Sequence, residues 1–312
     1  MSKTTFALIG TGIVGERIIN QIRMNKDAEI VGIYDENRER MVEISMKYGL
    51  PATQTLEELL SLNPHWVYIG TPPISHAPLA EKIAERGINI LSEKPLAHDR
   101  EAGEIMVRAA NDAGVQTAMH FPLMYSEEVL ELKRAIEQKE LGKIVRIELH
   151  TYFPHWPRKW QQNPWIATRE QGGFIREVFP HFLQLAHHLF GDIEISSHST
   201  SYPEDSSLCE TGVVAIGDVA ESIPLILNGL AGIGLEERLD FKVFGTDKVM
   251  TLRNWSELWI SEKDQSDEKI NVEGKSSNLI EACCKKHSGE EALIVSFEEG
   301  LKVQKWIDKL LG

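Results

Sequence analysis

The stretch Ala7-Leu8-Ile9-Gly10-Thr11-Gly12-Ile13-Val14-Gly15-Glu16-Arg17 decides how the chain begins to fold. The apolar run at 6–9 predicts a buried parallel strand, and the segment 13–24 directly after the glycines predicts a helix. In a Gly-x-Gly-x-x-Gly pattern placed in this way, the first glycine permits a tight turn and the second lets a pyrophosphate approach the backbone. The third lets the helix lie close to the strand, and the free amides of the helix N-terminus then face the phosphates. The stretch therefore predicts a dinucleotide-binding strand, turn and helix.

A second apolar run, at 30–34, ends in Asp35, twenty residues after Gly15. A carboxylate there can accept hydrogen bonds from both hydroxyls of an adenosine ribose. It would also repel a 2′-phosphate, which predicts NAD rather than NADP, although Arg38 could bind that phosphate instead. The residues of this region that we expect to bind the cofactor are Gly10, Thr11, Gly12, Ile13, Val14, Gly15, Asp35 and Arg38.

The composition excludes several classes of protein. The chain has 312 residues and a formal net charge of −14, which disfavours nucleic acid and an anionic membrane surface as partners. It holds no apolar run near the ~20 residues of a membrane span. Its three cysteines and its histidines lack the spacing of a disulfide framework or a metal site. Because the first residues lead straight into a strand, we expect no signal peptide and a cytoplasmic location.

Strand and helix signals alternate over the first part of the chain. After the two strands above come predicted strands at 66–69, 88–91 and 116–119, with helices at 39–48, 56–62 and 76–86 between them. Such alternation is typical of an α/β parallel sheet wrapped by helices. We therefore predict a Rossmann dinucleotide-binding domain over residues 1–122.

Strand signals dominate after a helix predicted at 127–138. They lie at 144–152, 193–202, 211–216, 223–227 and 239–243, followed by a hairpin of 249–253 with 257–261, a polar exposed loop at 264–277 and a C-terminal helix. We predict that residues 123–312 form a substrate-binding and oligomerisation domain of the α+β class. Its large, mostly antiparallel sheet would have an open face, which often makes oligomer contacts.

Two further motifs accompany the glycine loop. They are Thr71-Pro72-Pro73-Ile74-Ser75-His76 and Ser92-Glu93-Lys94-Pro95-Leu96-Ala97, each at the end of a predicted strand. With these motifs the chain resembles the glucose–fructose oxidoreductase / inositol dehydrogenase / rhizopine-catabolism (Gfo/Idh/MocA) family. The resemblance implies hydride transfer between a nicotinamide and a hydroxyl or carbonyl carbon of a sugar or polyol, in a homodimer or homotetramer. It adds Thr71, Pro72, His76, Glu93 and Lys94 to the expected cofactor residues.

The resemblance also implies the catalytic residues. Lys94 matches the family lysine that touches the nicotinamide ribose and the reacting oxygen, where a cation favours a developing alkoxide. Beyond Gly172-Gly173 the family has Asp, then His four residues later and Asp three after that. This chain has Glu177, His181 and Gln184. We expect His181 to exchange the hydroxyl proton and the longer Glu177 to position the substrate, while Gln184 supplies no charge.

Two segments extend the expected substrate site. The run 120–125, which begins with His120 and ends with Tyr125, replaces the Asn-x-Arg-Phe pattern that the family often shows. We count Tyr125 among the substrate residues and keep both ends of the run as alternative proton carriers. The segment 152–165 is rich in proline and carries Trp156, Trp160 and Trp165. It is either a substrate-covering loop, in which Trp156 and Trp165 stack on a sugar ring and Arg158 or Lys159 reaches an acidic group, or a loop packed on the sheet or on a neighbouring subunit.

Three functions remain open from the sequence. The first is an NAD-dependent oxidoreductase acting on a sugar-like small molecule. The second is a reductase of a non-sugar carbonyl or imine, which the departures at Glu177, Gln184 and 120–125 keep open. The third is a non-catalytic dinucleotide-sensing regulator, against which the presence of Lys94 and His181 speaks.

Overall fold

The computed structural model describes residues 3–161, 163–272 and 277–312, so residues 273–276 of the predicted loop lie outside it. The chain divides into two compact units, one with residues up to 121 and again 277–304, the other with 122–276 and 305–312. No helix in the described ranges is long and apolar enough to span a membrane.

The first unit contains a five-stranded parallel sheet in the order β2-β1-β3-β4-β5. The chain leaves β1 towards β2 on one side and continues to β3 on the other. Ligands of such sheets bind at this switch point, outside the carboxyl ends of the strands. The strands are β1 (Thr4–Ile9), β2 (Ala28–Tyr34), β3 (Trp66–Ile69), β4 (Asn89–Ser92) and β5 (Thr117–Met119), and the helices between them are α1 (Ile13–Met24), α2 (Arg38–Tyr48), α3 (Leu56–Ser61), α4 (His76–Ala84) and α5 (Arg100–Ala113).

The unit boundaries differ from the prediction that residues 123–312 form one domain. Residues 277–304 belong to the first unit, with α9 (Leu279–His287), which was not predicted, and the start of α10 (Phe297–Leu311). Met119 N donates to Val295 O at 2.8 Å, and Phe297 N donates to Thr117 Oγ1 at 3.0 Å. Because β5 is an edge strand with backbone groups left to satisfy, the returning chain binds there.

The second unit contains an eight-stranded sheet in the order β13-β12-β11-β10-β6-β9-β8-β7. Its pairs are antiparallel except for the parallel pair β6–β9, which confirms the mostly antiparallel prediction. Part of the predicted loop at 264–277 instead forms β13, because this segment pairs with β12. The strands are β6 (Ile144–Phe153), β7 (Ile193–Ser201), β8 (Gly212–Val219), β9 (Ile223–Ala231), β10 (Arg238–Gly245), β11 (Lys248–Arg253), β12 (Glu257–Glu262) and β13 (Glu268–Ile270), and the helices are α6 (Glu127–Glu137), α7 (Phe174–Glu177) and α8 (Phe179–Phe190).

Helix α8 carries the predicted catalytic histidine. Every residue from Phe179 to Ala186 on this helix is buried. Pro180 stands in the first turn, where the missing N–H removes no intrahelical hydrogen bond. The helix is therefore anchored by apolar packing in the core of the second unit.

Candidate active site

The glycine loop joins β1 to α1 with main-chain atoms in close approach. Gly10 has φ +92°, and a Cβ at this position would lie 2.5 Å from Gly70 O. A Cβ on Gly15 would lie 2.3 Å from Gly10 O, whereas one on Gly12 would meet nothing within 4 Å. Among the described side chains none caps α1 at Gly12, so the first amides of the helix are left for a ligand, and the arrangement fits a pyrophosphate.

Asp35 lies at the carboxyl end of β2, as predicted, and contacts the glycine loop. Its Oδ2 accepts hydrogen bonds from Thr11 N at 2.6 Å and from Thr11 Oγ1 at 2.8 Å. Its Oδ1 accepts one from Asn37 N at 2.8 Å, at the start of α2. The carboxylate thus holds the glycine loop, and Asp35 also lines a cavity at the carboxyl ends of the strands.

Arg40, which the sequence reasoning missed, also holds the loop. Its Nε donates to Thr11 O at 3.0 Å, and another nitrogen donates to Glu16 at 2.7 Å. Hydrogen bonds from Lys47, Tyr48 and Arg40 lower the pKa of Glu16 to about 2, so this partner stays charged. The predicted Arg38 is exposed at the start of the same helix. No sequence signal singles out Arg40, because Arg38 is a cation in the same first turn of α2.

A cavity of about 490 Å³ opens at the carboxyl ends of β1, β2 and β3. It is the place at which a sheet of this topology binds a nucleotide. Its volume and its mixture of apolar and polar groups suit an adenosine. The lining residues are Ile9, Gly10, Tyr34, Asp35, Glu36, Gln54, Thr55, Leu56, Glu57, Thr71, Pro72, Ser75, Pro78, Leu79 and Lys82.

Glu93 fixes the chain immediately before Lys94. Its Oε1 accepts a hydrogen bond from Tyr68 Oη at 2.8 Å, and the same oxygen lies 2.6 Å from His120 Nδ1. Burial would raise the pKa of Glu93, but the nearby His120 and Lys94 and the Tyr68 hydroxyl hold it below its usual range. The carboxylate therefore stays ionised and ties the end of β4 to β3 and to the segment after β5. Lys94 is half-buried directly beyond this tie.

His76, a predicted cofactor residue, makes contacts with two loops of the first unit. Its side chain is completely buried, with Nε2 2.8 Å from Thr71 O and Nδ1 3.1 Å from Leu96 O. Burial lowers the pKa of His76. The ring therefore joins the loops after β3 and β4, and it positions Thr71 and the chain next to Lys94. Of the other predicted cofactor residues, Ile13 and Val14 form the first turn of α1.

Glu177 and His181 lie on consecutive helices of the second unit. Glu177 ends α7, and its Oε2 accepts a hydrogen bond of 3.4 Å from Gln161 Nε2. The His181 side chain is 8% exposed, and its ring meets the Trp255 ring edge-on at 5.3 Å between centroids. Gln184 lies completely buried one turn further along α8. Trp255 was not predicted as a neighbour of this site, because it comes from the turn between β11 and β12.

Glu210 is a second residue that the sequence reasoning missed. It is 2% exposed, and its Oε1 accepts a hydrogen bond from Ile175 N at 2.6 Å. Gly173 has φ +97°, and a Cβ there would lie 2.2 Å from Glu210 Oε2. Burial raises the pKa of Glu210 to about 7. Glu210 thus supports the glycine turn that leads into α7 and Glu177.

The aromatic segment favours the packing interpretation for one tryptophan. Trp156 donates from Nε1 to Ile166 O at 3.3 Å, and its ring packs edge-on against Phe153 at 5.0 Å. Trp160 is 48% exposed, and Trp165 is half-buried in the 3-10 turn Pro164–Ala167. Tyr125, at the end of the 3-10 turn Pro122–Tyr125, is 5% exposed.

Comparison with known proteins places both units. The sequence pattern of the "Oxidoreductase family, NAD-binding Rossmann fold" matches residues 4–121, and that of the "GFO/IDH/MocA C-terminal domain" matches residues 129–249. Inositol 2-dehydrogenase of Rhizobium meliloti is 24% identical over 229 residues, which span 73% of this chain and 66% of that protein. The aligned part is thus slightly less than two thirds of that relative.

Solved structures share the fold at lower sequence identity. A protein from Desulfitobacterium hafniense described as a putative NADPH-dependent oxidoreductase has a TM-score of 0.88 and 17% identity, and the match covers 100% of this chain and 95% of that one. The WlbA dehydrogenase of Bordetella pertussis, in complex with NADH and UDP-GlcNAcA, has a TM-score of 0.84 and 21% identity, with 99% and 95% covered.

We predict that Glu210 makes the second unit less stable as the pH rises. Its pKa is higher in the folded chain than in the unfolded one, so the folded state binds more protons between pH ~4.5 and ~7. The free energy of unfolding should fall over this window by roughly 2–3 kcal/mol from this group alone. Glu210→Gln keeps an oxygen acceptor for Ile175 N and should remove that contribution, so the variant should be more stable than the parent at pH ~8. Urea denaturation at several pH values gives the slope of the unfolding free energy against pH, and the exposed Glu204→Gln is the control. Equal slopes for the parent and for Glu210→Gln would contradict the prediction.

Proposed function

The chain belongs to the Gfo/Idh/MocA oxidoreductase family, and from that premise we propose that it transfers a hydride between NAD and a secondary alcohol or carbonyl of a sugar, polyol or related small molecule. The observation that carries the proposal is the ionised Glu93, which Tyr68 and His120 hold directly before Lys94 at the carboxyl end of β4. When bound, NAD supplies the nicotinamide carbon that accepts or donates the hydride.

The first unit would bind the cofactor through the residues described above. The α1 amides and the glycine loop would hold the pyrophosphate, and Asp35 would accept hydrogen bonds from the adenosine ribose. Lys94 would bind the nicotinamide ribose and stabilise negative charge on the reacting oxygen. Because Glu93 is held by Tyr68 and His120, the backbone before Lys94 is fixed before any ligand arrives.

The second unit would supply the proton chemistry. His181 would exchange the proton of the substrate hydroxyl, since an imidazole can take up and release a proton near neutral pH. Glu177 would accept hydrogen bonds from neighbouring hydroxyls and orient the ring. The inositol 2-dehydrogenase among the relatives supports a polyhydroxylated substrate.

Lys94→Ala and His181→Ala should each lower kcat by ~10²-fold or more, because one removes a positioned charge and the other a proton carrier. His181→Ala should also change the pH profile of kcat/KM, because the variant lacks the proton carrier. NADH formation, followed by absorbance with a panel of polyols, aldoses and sugar acids, measures both effects.

The exposed His198→Ala and Lys309→Ala are the matched controls and should retain the parent rate. Normal turnover in either site variant would remove that residue from the mechanism. If the parent binds NADH and oxidises or reduces none of the compounds, the non-catalytic regulator becomes the better function. If His181→Ala is active and Tyr125→Phe is not, the proton carrier lies in the segment 120–125.

The protein should bind NADH at least ~10-fold more tightly than NADPH, because the carboxylates of the cavity would repel a 2′-phosphate. Asp35, Glu36 and Glu57 line the cavity, and its Lys82 lies 3.9 Å from Glu57 in an ion pair. Asp35→Asn keeps an oxygen acceptor for Thr11, and it should reduce the preference for NADH over NADPH more than Glu36→Gln does. Dissociation constants from NADH fluorescence measure it, and equal or tighter binding of NADPH by the parent would contradict the assignment.

We also propose a homodimer or homotetramer built on the open face of the sheet. Val214 and Ile216 alternate with buried residues on β8 and are 55% and 52% exposed, and Leu230 on neighbouring β9 is 41% exposed. Apolar side chains grouped on a sheet face are typical of an interface. Sedimentation equilibrium should give a multiple of 35.2 kDa, and Ile216→Lys should lower it. A parent that sediments as one chain at micromolar concentration would exclude this assembly.

A further inference from the structure

Arg158 is a cation enclosed by aromatic rings in the second unit. Its guanidinium carbon lies 5.0 Å from the ring centroid of Phe153, and the centroids of three tryptophans lie within 6 Å. The side chain is 12% exposed, whereas neighbouring Lys159 is exposed. The rings are those of Phe153, Trp156, Trp160 and Trp255.

The Arg158 guanidinium makes few hydrogen bonds for a buried charged group. Within the described ranges, Nε and Nη2 are buried and neither makes a hydrogen bond. Nε lies 3.2 Å from Glu237 Oε1 as an ion pair, and the Glu237 side chain is 43% exposed. Burial lowers the pKa of Arg158 and the charges of Glu237 and Glu177 raise it, and an arginine stays protonated in either case. Nε and Nη2 form the edge with which a guanidinium binds a carboxylate through two parallel hydrogen bonds.

Arg158 shares its neighbours with the proposed substrate residues. The Trp255 ring lies 5.7 Å from its guanidinium carbon and 5.3 Å from the His181 ring. Gln161 accepts a hydrogen bond from Arg158 N at 3.1 Å and donates one to Glu177 at 3.4 Å. The unsatisfied edge therefore belongs to the same group of side chains as Glu177 and His181.

We propose that Arg158 binds a carboxylate of the substrate, which makes the substrate a sugar acid rather than a neutral sugar. The inference rests on the proposed function and names its substrate class. A desolvated guanidinium whose Nε and Nη2 make no hydrogen bond gains most from a planar anion that accepts from both. The two glutamates already near this single cation favour a monoanionic carboxylate over a dianionic phosphate. Glu237, which is partly exposed, would leave Nε when the substrate carboxylate arrives.

The test compares compounds that differ only at one carbon. The pairs are D-glucuronate with D-glucose and D-galacturonate with D-galactose, and D-glucose 6-phosphate represents a phosphate. The kcat/KM of the parent for the better acid should exceed that for its neutral partner by ~10²-fold or more. Arg158→Met keeps the apolar stem against the rings and should abolish this preference, while kcat/KM for the neutral sugar changes only a few-fold.

Three further variants separate binding from structural support. Arg158→Lys should recover only part of the preference, because an ammonium lacks the two-donor edge. Glu237→Gln should lower KM for the acid if Glu237 competes with the substrate carboxylate. Arg169→Met is the matched control, since Arg169 also stacks on an aromatic ring, that of Tyr202 at 3.8 Å, and should change neither value.

The possible results distinguish a failure of the sugar-acid assignment from a failure of the proposed oxidoreductase function. Neutral sugars oxidised as well as the acids, a preference for the phosphate, or equal losses for acid and neutral sugar in Arg158→Met would each overturn the sugar-acid assignment and leave the oxidoreductase intact. If the parent turns over none of these compounds, uronate binding can still be measured by titrating the tryptophan fluorescence of the parent and of Arg158→Met. Arg158-dependent binding of a uronate would then support the carboxylate site while contradicting hydride transfer, and no such binding would overturn the site.

Discussion

The close approach of main chain at Gly10, Gly15 and Gly70 is the constraint on which the first unit depends. A side chain at Gly10 would overlap Gly70 O, and one at Gly15 would overlap Gly10 O, so β1, α1 and the loop after β3 meet through backbone alone. A Cβ on Gly15 would therefore push α1 away from the glycine loop. The same contact sets the direction of the α1 amides. A helix N-terminus consequently lies at the carboxyl edge, where it can bind an anion without a charged side chain.

Polar side chains then connect the loops that lie at the carboxyl ends of the strands in the first unit. Asp35 holds Thr11, His76 joins the loops after β3 and β4, and Glu93 joins the ends of three neighbouring strands. Loops are ordinarily the mobile parts of a fold. Here their bonding partners are buried or half-buried, and breaking such a bond leaves a desolvated polar group at a cost of ~1–3 kcal/mol. The edge is thereby organised without a cofactor, and the proposed role of Lys94 as a positioned charge would depend on that order.

The second unit positions its candidate site residues by different means. Glu210 lies beneath Gly173 as a buried carboxylate at the start of α7, and Trp255 packs beside both His181 and Arg158. A carboxylate whose pKa is raised to about 7 by burial is a cost to the fold. Such a cost persists where the surrounding structure over-determines a site, and here the turn it supports leads to Glu177. In this unit the buried Glu210 lowers the stability of the fold while it supports the turn before Glu177. In the first unit, by contrast, the hydrogen bonds of Asp35, His76 and Glu93 stabilise the fold and also position its loops.

Much of the fold could be predicted because its signals are local: β3 and α1 have the predicted bounds, and the strand periodicity gave the mostly antiparallel sheet. The return of 277–304 to β5 could not, because it depends on bonds between residues far apart in sequence. Glu210 was missed for the same reason, since its partner Ile175 lies 35 positions away. Arg40 was missed because its contact with Thr11 joins residues 29 positions apart, which no local pattern reports. Residues two apart on an α-helix point ~200° from each other, so Arg38 at the start of the same helix faces another direction and is exposed.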